Sequence, residues 1–148
     1  MTTMVKKETE NKAILYRLTE ELWMKHNLSI FEEVYASDVV YHGPSIEIHG
    51  RDDLKNLTRS YLTAFPDMKV TMRELLVEED MVAFRYNMEA VHKGKLQEIP
   101  PTGKKIKLTG IIIQRFSKGK VVEEWEEYDQ LGMMKQLGME LRPMELIH

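Results

Sequence analysis

The sequence predicts an α+β protein, with helices gathered on one face of a curled antiparallel sheet. Three observations carry this prediction. Apolar residues recur at helical spacing as far as Phe65. After Pro66-Asp67 the period drops to two. Turn signals then divide the alternating runs at hairpin spacing. A sheet folded over helices leaves a cone-shaped interior, and such mouths bind small ligands.

Residues 1 to 7 read as a frayed end. From Glu8 to His26, Ile14, Leu15, Leu18, Leu22 and Trp23 form a helical stripe, and Asn27 ends it. A short second helix presents Ile30, Phe31, Val34 and Tyr35, with Ser29 and Glu32 at capping-box spacing. Val39 to His42 is a short strand stopped by Gly43-Pro44, and Ile46 and Ile48 mark another. Gly50 opens a helix with Asp52 and Asp53 in its first turn, where acids suit the dipole. Leu54, Leu57, Tyr61, Leu62 and Phe65 form its apolar face, and Pro66 stops it.

Met68, Val70 and Met72 begin a strand that reaches about Val77. Glu78-Glu79-Asp80 turns the chain. Val82, Phe84, Tyr86, Met88, Ala90 and His92 then share one face of a long strand. A loop runs from Gly94 to Gly103. Lys104 to Phe116 is the next strand, and Ser117-Lys118-Gly119 makes the hairpin to the last one. That strand starts at Lys120 and gives way to a turn of helix holding Leu131, Met134 and Leu137. Residues 1–148 are expected to be one domain, with a core over about 8–138 and a short tail, Met139 to His148.

Composition narrows the function classes. The net charge of −3 argues against nucleic-acid binding, which favours a basic stripe. Without cysteine there is neither disulfide nor thiolate chemistry. No apolar run reaches membrane-spanning length, and the first residues lack the apolar core of a secretory signal. A cytoplasmic protein is expected. The eleven methionines suit an adaptable interior, or simply fill the core. Neither a phosphate-binding glycine loop nor a nucleophile elbow is present.

Asp129 is the first candidate for chemistry. It shares strand parity with Trp125 if the strand is unbroken, and a carboxylate beside an aromatic wall is partly desolvated, which raises its pKa. Such a group serves as a general base near neutral pH. Asp is equally an ordinary N-cap for the helical turn that follows. His92, on an apolar face, suits acid/base work or a satisfied core position. His42 lies at a strand end, where pocket mouths form. Trp125, Tyr41, Trp23, Phe65, Phe84 and Tyr86 are the candidate substrate-binding side chains. The five histidines, at 26, 42, 49, 92 and 148, make no HxH or HxxxH pair, so no metal site is expected. Glu123-Glu124 and Glu126-Glu127 alternate across both faces, as a solvated edge on one and a subunit contact or pocket rim on the other.

Several stretches together resemble the SnoaL-like polyketide cyclases, from about Asn11 to Gly138. They include the opening EELWMKHNLSIFEEVYASDVVYHGP, Gly50-Arg51 and Phe65-Pro66-Asp67. His92-Lys93-Gly94 through Ile99-Pro100-Pro101-Thr102-Gly103-Lys104 follows, then Gly119-Lys120, Glu123, Trp125, Asp129 and Gln136-Leu137-Gly138. Ala90-Val91 and Glu98 depart from the family pattern of Gly-Thr and Gly. The resemblance implies a cone-shaped roll of the nuclear-transport-factor-two type, a homodimer packed through its sheet, and no cofactor or metal. It implies proton abstraction α to a carbonyl and aldol ring closure on a small carbonyl substrate. Carried over, Asp129 is the acid/base, with His92 and His42 as pocket hydrogen-bonders. Water activation on the same scaffold, giving a hydrolase or dehydratase, and a non-catalytic ligand-binding dimer are the alternatives.

Overall fold

A computed structural model describes residues 3–145; His148 and the end of the tail lie outside the described residues. Helix α1 (Thr3–Leu18) leads into a π-helical segment, Thr19–Met24. Residues 3 to 7 are thus helical rather than frayed. The wider turn bonds the Lys25 N–H to the Glu20 carbonyl at 3.1 Å. It sets Leu22 in the core and turns Trp23 toward an internal cavity. Asn27, not Ser29, caps the next helical piece, accepting the Ser29 N–H at 3.2 Å. A 3₁₀ turn (Leu28–Ile30) and α2 (Phe31–Val34) follow.

The strands are β1 (Tyr35–Gly43), β2 (Ile46–His49), β3 (Lys69–Glu78), β4 (Met81–Val91), β5 (Lys105–Ser117) and β6 (Lys120–Tyr128). Helix α3 (Arg51–Ala64) precedes β3, and α4 (Gln130–Gln136) follows β6. They form one curled, unclosed sheet in the order β2-β1-β6-β5-β4-β3. The expected all-antiparallel sheet needs one correction: β1 and β6 pair in parallel. The long connection through α3 and the other strands permits it, since a parallel pair cannot be closed by a hairpin. Among the described residues, no helix is long and apolar enough to cross a membrane.

The concave face of the sheet carries the core. On β4 and β5 the even-numbered residues face inward in strict alternation, from Val82 to Ala90 and from Ile106 to Phe116. Leu15, Leu18, Leu22, Phe31 and Phe65 from the helical layer meet them. Burying such side chains contributes about 1.5–3 kcal/mol each, which holds the helices inside the curl. The Lys118-Gly119 hairpin has positive φ at both central residues, so its twist matches that of β5 and β6.

Candidate functional site

Strand β6 decides which side chains reach the interior. Its pairing with β5 runs Ser117↔Lys120 and Phe116↔Val121, then jumps to Arg115↔Glu123. Val122 is therefore an extra residue, a β-bulge. A one-residue slip exchanges the two faces of a strand. Beyond the bulge, Glu124, Glu126 and Tyr128 face inward, and Glu123 and Trp125 face outward. The bulge thus carries two acids into a cavity lined mainly by aromatic and aliphatic side chains.

That cavity measures about 280 Å³ and lies between α3, the π-helical segment and the concave sheet. Trp23, Tyr35, Tyr41, Tyr61, Phe84, Tyr86 and Tyr128 supply aromatic wall, with Met68, Met88 and Met133 between them. Glu124 is 5% exposed. It accepts hydrogen bonds at Oε1 from the Tyr35 hydroxyl at 2.9 Å and from Gln114 Nε2 at 2.6 Å. Among the described residues, none donates to its Oε2. Burial lifts its pKa to about 7, the nearby Glu126 adds to the rise, and Gln114 and Tyr35 oppose it.

Glu126 is held differently. The Tyr41 hydroxyl donates to Oε1 at 2.7 Å and the Tyr86 hydroxyl to Oε2. Desolvation pushes its pKa upward against those two bonds. Burial and the neighbouring acid hold both phenols well above their ordinary range, so each stays a neutral donor. Farther along the wall, the hydroxyls of Tyr61 and Tyr128 meet at 2.6 Å.

Both tyrosines on Glu126 lie across a glycine. A Cβ on Gly43 would come within 2.6 Å of the Tyr41 ring, and one on Gly110 would overlap the Tyr86 phenol. Gly110 is the direct cross-strand partner of Tyr86. Gly110→Ala is therefore expected to push Tyr86 off Glu126 and to cost about 1–3 kcal/mol by overpacking. A urea midpoint unchanged from wild type would rule this out.

The sequence candidates divide. Trp23, Tyr41, Phe84 and Tyr86 line the cavity, whereas Phe65 and Trp125 do not. Phe65 is buried in the core beside His92. Trp125 sits on the outer face of the sheet, stacked on His42 at 5.5 Å, with the Arg115 guanidinium 5.3 Å from its centre. His42 shares that face, bound to Glu123 at 2.8 Å and Glu47 at 3.2 Å. His92 is fully buried away from the cavity lining. Its Nδ1 accepts the Thr102 N–H at 3.2 Å and lies 3.0 Å from the Thr102 hydroxyl, which pins the Pro100–Gly103 turn.

Asp129 is exposed and outside the cavity lining. Strand β6 ends at Tyr128, and Asp129 is the N-cap of α4, accepting the Gly132 N–H at 2.9 Å. Asp129→Ala is expected to cost about 1 kcal/mol of stability and Asp129→Asn little, because Asn caps as well as Asp. Equal thermal midpoints for the two variants would contradict that reading. Among the described residues, no group of three or more His, Asp or Glu side chains is arranged to hold a metal ion.

Alternation alone leaves Glu124 and Glu126 on a solvated edge, at a subunit contact or at a pocket rim, whereas both line the cavity. The signal that could have found them is the pair of strand glycines, Gly43 and Gly110, each making room for a tyrosine that binds Glu126.

Comparison with known proteins agrees with this architecture. The sequence profile of the family described as SnoaL-like polyketide cyclase matches residues 13–137. AclR from Streptomyces galilaeus, a proposed hydroxylase, is 29% identical. The match covers 88% of this chain and 97% of AclR, with a TM-score of 0.79. IdmH from Streptomyces antibioticus, a proposed polyketide cyclase, is 26% identical over 87% of this chain and 99% of its own, with a TM-score of 0.74. A SnoaL-like protein from Jannaschia shares the fold, with a TM-score of 0.85 at 19% identity over 95% of this chain and 98% of its own. Among curated proteins no sequence matches significantly.

Proposed function

Since this chain belongs to the SnoaL-like polyketide cyclase family, we propose that it enolises a small ester or ketone in the aromatic cavity and closes a ring by intramolecular aldol addition. The observation that supports this most is Glu126. It is a desolvated carboxyl on the cavity wall with a neutral tyrosine hydroxyl on each oxygen. Glu126 is the acid/base in this reading. Asp129, the sequence candidate, keeps the capping role its contacts describe.

The steps follow from the charges. The Glu126 carboxylate takes the proton from the carbon α to the substrate carbonyl. The C–H electron pair becomes the enolate double bond, and negative charge moves to the carbonyl oxygen. Glu126, now neutral, is a weaker acceptor for Tyr41 and Tyr86. Their hydroxyls are then free to donate to the enolate oxygen, which is where charge develops. The enolate carbon attacks the second carbonyl carbon and forms the new C–C bond. The resulting alkoxide recovers the proton from Glu126. Closure within 280 Å³ keeps the two carbonyl groups in reach of each other and suits a modest, mainly apolar substrate.

The test is deuterium incorporation from D₂O at the α-carbon of a panel of β-keto esters, followed by NMR. Exchange above the buffer rate for at least one member is expected. Cavity binding without exchange for any member would replace the enzyme with a ligand-binding module.

A further inference from the structure

The proposed reaction uses one carboxyl, and the cavity holds two. Glu124 is the surplus acid. A glutamine at that position would keep the bonds from Tyr35 and Gln114 at Oε1 and avoid the cost of burying a carboxyl.

No compensating charge is provided. Among the described residues, no Lys, Arg or His lines the cavity. All four donors to the two carboxyls are neutral: Tyr35 on β1 and Gln114 on β5 for Glu124, Tyr41 on β1 and Tyr86 on β4 for Glu126. Acids elsewhere on the chain are treated differently. Glu33 has Arg17, Glu32 has Lys55, Glu74 has Arg85 and Glu123 has Arg115. The fold pairs these exposed or half-exposed acids with cations and leaves unpaired the two whose isolation costs most.

Glu124 lines the cavity, and its Oε2 receives no donor among the described residues. Aromatic side chains line the same cavity, and ring faces attract cations at a distance of about 6 Å or less. A ligand acid would bring a third negative charge into this space. A ligand cation would supply the charge that the protein omits.

We infer that the substrate is a carbonyl compound carrying a basic nitrogen, bound as its ammonium ion against Glu124 Oε2 while Glu126 works on the α-carbon. This deepens the proposed reaction and rests on its placing of the site in this cavity.

Three probes of one shape test it: benzylamine, benzyl alcohol and benzoate, titrated by calorimetry at about pH 8, where the amine is protonated and a carboxyl with a pKa near 7 is ionised. Benzylammonium is expected to bind at least about tenfold tighter than benzyl alcohol, with no benzoate binding. In Glu124→Gln that preference is expected to vanish while alcohol affinity stays within about twofold. Benzyl alcohol binding as tightly as benzylammonium to the wild type would overturn the inference, and so would an unchanged preference in Glu124→Gln. The wild-type comparison stands without the variant. Exchange into neutral keto esters is read separately. Ammonium preference without exchange rejects only the reaction, and exchange without ammonium preference rejects only the inference.

Discussion

Glu126→Gln is expected to lower turnover about 10²- to 10⁴-fold with the fold intact, the range a positioned general base contributes. That is about 3–5 kcal/mol of barrier. The amide keeps one acceptor for Tyr41 or Tyr86 and packs in nearly the same volume, so the cavity survives. It cannot take a proton. The wild-type rate is expected to rise with pH, because the base works only when ionised. Desolvation moves that inflection above the usual carboxylate range. The phenols of Tyr86 and Tyr41, which oppose the rise, and the Glu127 carboxylate, which adds to it, are the titratable neighbours that shape it, and Glu126 in turn raises Glu124 on the same strand face. Because two carboxyls couple, the profile reports the pair. A loss under about threefold in Glu126→Gln, below about 0.7 kcal/mol, would remove Glu126 from the chemistry.

The second large effect concerns stability. Burial raises Glu124 from 4.5 to about 7, so the folded chain holds a proton there that the unfolded chain has already released. Stability from this group is complete below the unfolded value of 4.5 and is lost as pH rises toward about 7. The full loss corresponds to about 3 kcal/mol. Glu126, raised in the same direction, adds to it. Glu124→Gln removes the titration and keeps the acceptor for Tyr35 and Gln114. At about pH 8 the variant is expected to melt several degrees above wild type, and near pH 4 the two converge. Melting curves across that range decide it. A wild-type midpoint flat from about pH 5 to 8, or a variant less stable at the upper end, would contradict the account.

These expectations rest on residues that were harder to read than the fold. The element order followed from period and punctuation. Pro66 ended α3, the alternation from Val82 fixed the inward face of β4, and Lys118-Gly119 marked a hairpin. Pairing of β1 with β6 was not legible, because residues about eighty apart share no local pattern. The capping residue Asn27 was hidden behind Ser29, which stands at a more familiar spacing.

Strand β6 was the hardest segment, and the reason is physical. From Val121 on, its sequence VVEEWEEY doubles each residue type except the aromatics. A slip by one residue exchanges Val121 for Val122 and Glu123 for Glu124, so alternation favours neither register. The bulge at Val122 makes the choice and turns Trp125 outward. The parity that linked Asp129 to an aromatic wall inside the cone depended on Trp125 facing inward. Family resemblance pointed to β6, and the bulge determines which of its acids face the cavity.

The most direct test is the rate of α-deuteration of the best-exchanging keto ester by wild type, Glu126→Gln and Asp129→Asn, measured side by side. The account predicts that exchange is lost in Glu126→Gln and retained within about twofold in Asp129→Asn, since the amide still caps α4. Exchange retained in Glu126→Gln and lost in a folded Asp129→Asn would contradict it, and would return the acid/base role to Asp129.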